Sequence, residues 1–119
     1  MKTLANPNDK NEILRRLQSI QPTTQRRWGK MSAHQMICHL SDGYRMYMNE
    51  KIVAPEPQRI PPAVFEADMR ELQKLVERFT QHPRDFRWQP HPHFGPLSEK
   101  EWMRLGYLHP DHHLRQFGA

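Results

Sequence analysis

Residues 98–117 read SEKEWMRLGYLHPDHHLRQF, and the fold class follows most directly from this stretch. Ser98 followed by Glu101 is a capping box, in which two side chains satisfy unpaired amides at a helix start. Apolar and histidine side chains then recur at steps of three and four, which is helical spacing. This face carries Trp102, Leu105, His109, His113 and Gln116. The stretch predicts an amphipathic helix that ends near Phe117.

A second capping box opens the stretch MSAHQMICHLSD at residues 31–42. Ser32 and Gln35 have the required spacing, and they predict a helix over residues 33 to about 49. Its apolar stripe consists of Met36, Ile37, Leu40, Tyr44, Tyr47 and Met48. At about 100° per residue, His39 falls inside this stripe and His34 falls outside it. His39 is therefore predicted to point inward, and His34 is not.

Two other segments show the same periodicity without a capping box. Asn8 or Asp9 can cap a first helix, which Pro22 then ends. A further helix is predicted from about Pro62, a residue tolerated in a first helical turn, to Gln81. The apolar residues of these two helices are Ile13, Leu14, Leu17 and Ile20, then Phe65, Met69, Leu72, Leu75, Val76 and Phe79.

The remaining segments read as connectors. KIVAPEPQRIPP at residues 51–62 is too rich in proline to continue a helix, and HPRDFRWQPHPHFGPL at 82–97 is a long loop. No segment alternates with the period of two that a half-buried strand requires. Four amphipathic helices within 119 residues predict an all-α four-helix bundle, with residues 1–119 as a single domain.

Composition limits the cellular compartments and the classes of binding partner that we expect. Cys38 is the one cysteine, which excludes an intramolecular disulfide and fits a reducing compartment. The chain has no apolar run suited to a signal peptide or a membrane span, so we expect a cytoplasmic protein without a membrane partner. The net charge of +5 raises the question of nucleic-acid binding. That function ranks last because acidic residues interleave with most of the basic ones and the sequence contains no groove-reading motif.

The histidines are the chemically informative residues. His109 and His113 lie four apart on one helix face, so their rings project side by side and can meet one ion. His39 is the third inward histidine, on a neighbouring helix. The competing explanation is that the spacing arose by chance and that an inward histidine is a hydrogen-bonded core residue. Spacing alone also allows His112 to pair with His109. Pro110, in the same helix, either opens a cavity or adjusts packing.

A metal ion would suit such a site. Buried imidazoles without partners cost free energy, and a divalent ion is a natural partner for several of them. Three neutral imidazoles fit zinc, nickel, iron or copper and leave at least one coordination position open. The ion would then keep its full charge and could activate water or hold a thiolate.

The histidine segments also resemble a known superfamily. LHPDHHLRQFG at 108–118 together with MSAHQMICHLSD at 31–42 resembles the DinB-like (DinB/YfiT) superfamily of metalloproteins. The chain looks most similar to a bacterial branch whose domains have no known function. RRWGKM at 26–31 and HFGPLSEKEWMRLGYLH at 93–109 look like signatures of that branch. The resemblance covers nearly the whole chain.

This resemblance implies a four-helix bundle, often a homodimer, that carries nickel, zinc or a similar ion. By position it implies the ligands His39, His109 and His113, and it selects His113 over His112. It places Gln116 beside them. Relatives have a longer connection between the second and third helices than KIVAPEPQRIPP provides.

The resemblance also implies a metal-dependent enzyme of the thiol S-transferase or hydrolase type, acting on a small molecule such as a low-molecular-weight thiol. No catalytic residue is assigned. Asp42, Tyr44 and Gln116 are candidates for supporting the ligands, although Asp42 also fits an exposed acid and Tyr44 a core residue. His91 and His93 are candidates for substrate contact or ordinary surface residues. The alternative is a non-catalytic bundle in which the ion joins helices.

Overall fold

The computed structural model describes residues 1–50 and 64–119, and these residues form an all-helical structure. Its four helices are α1 (Pro7–Gln18), α2 (Ala33–Tyr47), α3 (Phe65–Phe79) and α4 (Glu99–Gln116). Within the described ranges there is no strand, and β pairing is limited to an isolated bridge between His91 and Gly95. None of these helices is long and apolar enough to cross a membrane.

The two helices that carry the inward histidines begin where the capping boxes predict. Ser32 Oγ accepts the backbone amide of Gln35 at 3.1 Å, and Gln35 Oε1 accepts the amide of Ser32 at 2.9 Å. Ser98 and Glu101 repeat the arrangement at 3.2 Å and 2.8 Å. The reciprocal bonds define the first residues of α2 and α4. The local sequence at each helix start therefore determines where along α2 and α4, and on which helix face, the histidines lie.

The predicted limits of the first helix are wrong. Its N-cap is Asn6, whose side-chain oxygen accepts the amides of Asn8 and Asp9, and Pro7 occupies the first helical position. The two residues predicted as caps thus lie inside the first turn. The helix ends at Gln18, before the predicted proline stop.

The third helix is shorter than predicted. Val64 has extended backbone angles (φ −134°, ψ 123°), so α3 begins at Phe65, and it ends at Phe79 rather than Gln81. Pro62 and the connector KIVAPEPQRIPP lie outside the described residues. The expectation about the short connection between the second and third helices therefore falls on a part of the chain that is not described.

Apolar residues of all four helices form the core, and the predicted stripes of α2 and α3 are a large part of it. Helix α2 packs along α3 and also contacts α4, while α1 packs against α4. Among the most buried side chains are Met36, Ile37, Leu40, Tyr44, Leu72, Val76, Phe79, Trp102 and Leu114. Burial of each large apolar side chain contributes about 1.5–3 kcal/mol. Because α2 lies between α3 and α4, its polar side chains reach both neighbours.

Pro110 interrupts the hydrogen-bond ladder of α4 directly after His109. A helical amide normally bonds to the carbonyl four residues earlier, so Pro110 leaves the carbonyl of Gly106 without its helical donor. The hydroxyl of Tyr44 donates to this carbonyl at 2.8 Å in the buried interior. Helix α2 thus supplies the donor that the proline lacks, and the bond fixes α2 against α4 next to the inward histidines.

We expect Tyr44→Phe to lower the free energy of unfolding by about 1–3 kcal/mol, because it leaves the buried Gly106 carbonyl unsatisfied. In a Pro110→Ala background the same change should cost less, since the alanine amide can bond to that carbonyl. Urea denaturation of the wild type, both single variants and the double variant measures the coupling. An equal cost of Tyr44→Phe in the two backgrounds would contradict this account.

Candidate metal centre

Three histidine rings from two helices converge at the interface of α2 and α4. His39 Nε2 lies 3.1 Å from His109 Nε2, and the ring centroids of His39 and His113 are 4.7 Å apart. One ring nitrogen from each residue can be chosen so that all three lie within 4.8 Å of one another. Two nitrogens bound to one tetrahedral zinc ion lie about 3.3 Å apart. The observed arrangement is therefore close to the spacing that a shared ion requires.

The convergence depends on a small residue in α2. Gly43 lies one turn after His39, and a Cβ atom built there would lie 3.1 Å from His109 Cε1 and 3.2 Å from His109 Nδ1. Few real Cβ contacts are this tight. Glycine at this position therefore gives the His109 ring the room to approach α2 and face His39.

A hydrogen bond orients the His113 ring. His113 Nδ1 lies 2.8 Å from Gln116 Oε1. An amide oxygen only accepts, so Nδ1 carries the proton and Nε2 keeps a free lone pair. The Nδ1 atom of His109 faces the Tyr47 hydroxyl at 3.5 Å, which is consistent with its Nε2 facing the other histidines.

The two other candidates for supporting the ligands have different surroundings. Asp42 is only 5% exposed, so the interpretation as an exposed acid on the polar face is wrong. Arg45 Nη1 donates to its carboxylate at 3.3 Å. The Tyr44 hydroxyl bonds to the backbone of α4 and not to a histidine, so its contribution is to hold the helices in place.

Burial keeps the three imidazoles neutral near pH 7. Desolvation and the neighbouring His113 lower the pKa of His39 to about 4, while the charge of Asp42 opposes the shift. Desolvation and the nearby histidines lower the pKa of His109 to about 3. Burial also lowers the pKa of His113, against the effect of its bond to Gln116. Neutral imidazole is the form that binds metal, so little proton release is needed.

The loop histidines lie at different distances from this centre. His91 Nδ1 accepts the backbone amides of His93 and Phe94 at 3.0 and 3.2 Å, and its ring stacks on Phe94. The His91 ring also stacks on Tyr47, with the centroids 6.1 Å apart, and Tyr47 in turn contacts His109. His93 is exposed. Substrate contact by either residue stays a prediction.

A second polar cluster was missed by the sequence analysis. His34, predicted to lie outside the inward arc, faces α3, where its Nε2 is 2.7 Å from Asp68 Oδ2. Cys38 Sγ is 3.6 Å from the same carboxylate oxygen. The four-residue spacing of His34 and Cys38 was the available signal. Burial, followed by the charge of Asp68, raises the pKa of Cys38 to about 11, so it is a thiol at neutral pH and not a ready nucleophile.

The metal-free protein should lose stability as the pH falls from about 6.5 towards 4. The pKa values of His39 and His109 in the folded state lie below the ordinary value of 6.5. Their contribution to stability is therefore complete above pH 6.5, and it is lost as the unfolded chain takes up protons. We expect His109→Gln to flatten this part of the pH profile in urea denaturation with a chelator present.

The exposed His82 provides the matched control, because His82→Gln removes a histidine outside this cluster. It should keep the loss of stability between pH 6.5 and 4 that His109→Gln removes. Equal slopes for wild type and His109→Gln would show that the histidine is not held neutral by burial.

Comparison with known proteins gives a family but no activity. No curated protein and no solved structure matches the chain significantly. A family described as a protein of unknown function (DUF1569) matches residues 44–119. The matched region contains His109 and His113, whereas His39 precedes it. The match spans more than half of the residues of the chain, and the chain therefore belongs to this family of unknown function, DUF1569.

Proposed function

We propose that the protein is a metal-dependent enzyme that holds a divalent transition-metal ion on His39, His109 and His113. The observation that supports this most strongly is the convergence of three neutral imidazoles at distances suited to one ion. Nitrogen ligands of this kind favour nickel or zinc over magnesium or calcium. In the described part of the chain, these three histidines make up this group of possible ligands. Three protein ligands leave at least one coordination position on the ion for a small molecule.

We further propose that residues 1–119 form one DinB-like four-helix bundle. The all-helical structure of the described residues and the packing of α2 against both α3 and α4 support this assignment. The ligands would come from α2 and α4, the arrangement that helical bundles use for internal metal sites. The bond between Tyr44 and the Gly106 carbonyl keeps these helices in register.

The residues around the centre each have a positioning role in this proposal. Gln116 holds the tautomer of His113, and Gly43 leaves room for His109. His39 and His113 are half-buried, so small molecules can approach from their side. The bound ion would supply Lewis acidity that lowers the pKa of a coordinated thiol or water.

Positive charge near the last turn of α4 favours an acidic substrate. The backbone amide of Arg27 donates to the Gln116 carbonyl at 2.6 Å, and its guanidinium packs against Gly118. Arg26 and Lys30 lie exposed in the same connector. These cations would attract the carboxylate of an acidic substrate, and a small thiol that carries a carboxylate is the substrate class that we propose.

Metal analysis provides the first test. After loading with zinc or nickel and desalting, the His113→Ala variant should contain about one equivalent of metal less than the wild type, because it lacks one ligand. The adjacent exposed residue gives a matched control, and His112→Ala should retain the metal of the wild type. Equal metal content in the two variants would refute the three-histidine centre.

Thiol binding to cobalt-substituted protein provides the second test, in a Cys38→Ser background that removes the protein's own thiol. Thioglycolate should change the visible absorption of the ion and bind more tightly than neutral 2-mercaptoethanol, because of the basic connector. Arg27→Ala should reduce the difference between the two thiols. A spectrum unaffected by either compound would indicate a closed site in which the ion only joins α2 to α4.

A further inference from the structure

The second polar cluster joins α2 to α3. His34 and Cys38 lie one helical turn apart on α2, and Asp68 reaches them from the first turn of α3. One potential ligand atom from each residue lies within 4.8 Å of the other two. The cluster is therefore compact enough to share one ion, as the three-histidine centre is, but it has a different chemical composition.

The distances can be compared with those of a zinc site. A sulfur and an oxygen bound to one tetrahedral zinc ion lie about 3.5 Å apart, and Cys38 Sγ lies 3.6 Å from Asp68 Oδ2. A nitrogen and an oxygen need about 3.3 Å, and His34 Nε2 lies 2.7 Å from the same oxygen. A small outward rotation of the partly exposed His34 would provide the missing separation.

The charges also suit zinc. A thiolate and a carboxylate together neutralise a divalent ion, and a neutral imidazole completes a mixed sulfur, nitrogen and oxygen set. The side chains of His34 and Asp68 are 22% and 29% exposed, so an ion can reach them from solvent. A soft thiolate excludes magnesium and calcium as the natural occupants.

We propose that His34, Cys38 and Asp68 form a second metal site, specific for zinc or a similar thiophilic divalent ion. The ion binds the Cys38 sulfur as thiolate, and the thiol proton is released to solvent. Water or an external ligand takes the fourth position. The site links α2 to α3, whereas the three-histidine centre links α2 to α4, so the two sites would join α2 to two different helices.

Cobalt titration distinguishes the two sites, because the thiolate is present in this one alone. A thiolate-to-cobalt charge-transfer band in the near ultraviolet should grow to saturation in the wild type. Cys38→Ser should abolish the band and remove about one equivalent of bound metal. Asp68→Asn, which keeps the shape of the side chain but not its charge, should weaken the band at the same cobalt concentration.

A double variant, His39→Ala with His113→Ala, separates this proposal from the proposed function. It should keep the charge-transfer band while losing the metal of the three-histidine centre. If that centre does not bind metal but the band appears, the second site stands alone. His112→Ala is the control for removing an exposed histidine, and it should leave both signals unchanged.

Alkylation of the unaltered protein gives a readout that does not depend on the folding of a variant. At about pH 9.5, where a useful fraction of the Cys38 thiol is ionised, zinc should slow the reaction of iodoacetamide with Cys38 by about tenfold or more, because the metal holds the sulfur lone pair. No charge-transfer band at saturating cobalt, or no protection by zinc, would overturn the proposal. The cluster would then be a hydrogen-bonded contact between α2 and α3.

Discussion

The hydrogen bond from Tyr44 to the carbonyl of Gly106 is the contact on which the histidine arrangement depends. Pro110 removes the helical donor for that carbonyl, and a buried carbonyl without a donor is costly. The Tyr44 hydroxyl of α2 removes this free-energy cost, but only when α2 and α4 have one particular axial offset and rotation relative to each other. His109 precedes the proline directly, so the same constraint brings its ring against Gly43 and beside His39.

Burial then determines the chemistry of the converged rings. Each imidazole loses water on entering the interface, His113 lowers the proton affinity of His39, and both of these rings lower that of His109. A cluster of three charged rings would repel and unfold the interface, whereas three neutral rings offer lone pairs to an electrophile. The protein can hold these lone pairs together because the surrounding core, to which all four helices contribute, supplies the stability that the polar cluster does not.

Helix α2 combines several roles because α3 and α4 both contact it. Its apolar stripe enters the core, His39 and Gly43 face α4, and His34 and Cys38 face α3. Asp42 is buried, next to Arg45. A helix with one contacting neighbour could leave such residues in water. With two neighbours, His39 meets the His109 ring of α4, and His34 and Cys38 meet the Asp68 carboxylate of α3.

Local sequence was sufficient to predict the four helices, the starts of α2 and α4, and the inward direction of His39, His109 and His113. Capping boxes and the helical period act over a few residues, so they can be read without knowing the fold. The start of α1 at Asn6, the burial of Asp42 and the meeting of His34 with Asp68 could not be read in this way. Asn8 and Asp9 are equally suitable N-cap residues close to Asn6, so the local sequence did not single out Asn6. The other two depend on which helices pack beside α2, and only long-range packing of the chain decides that.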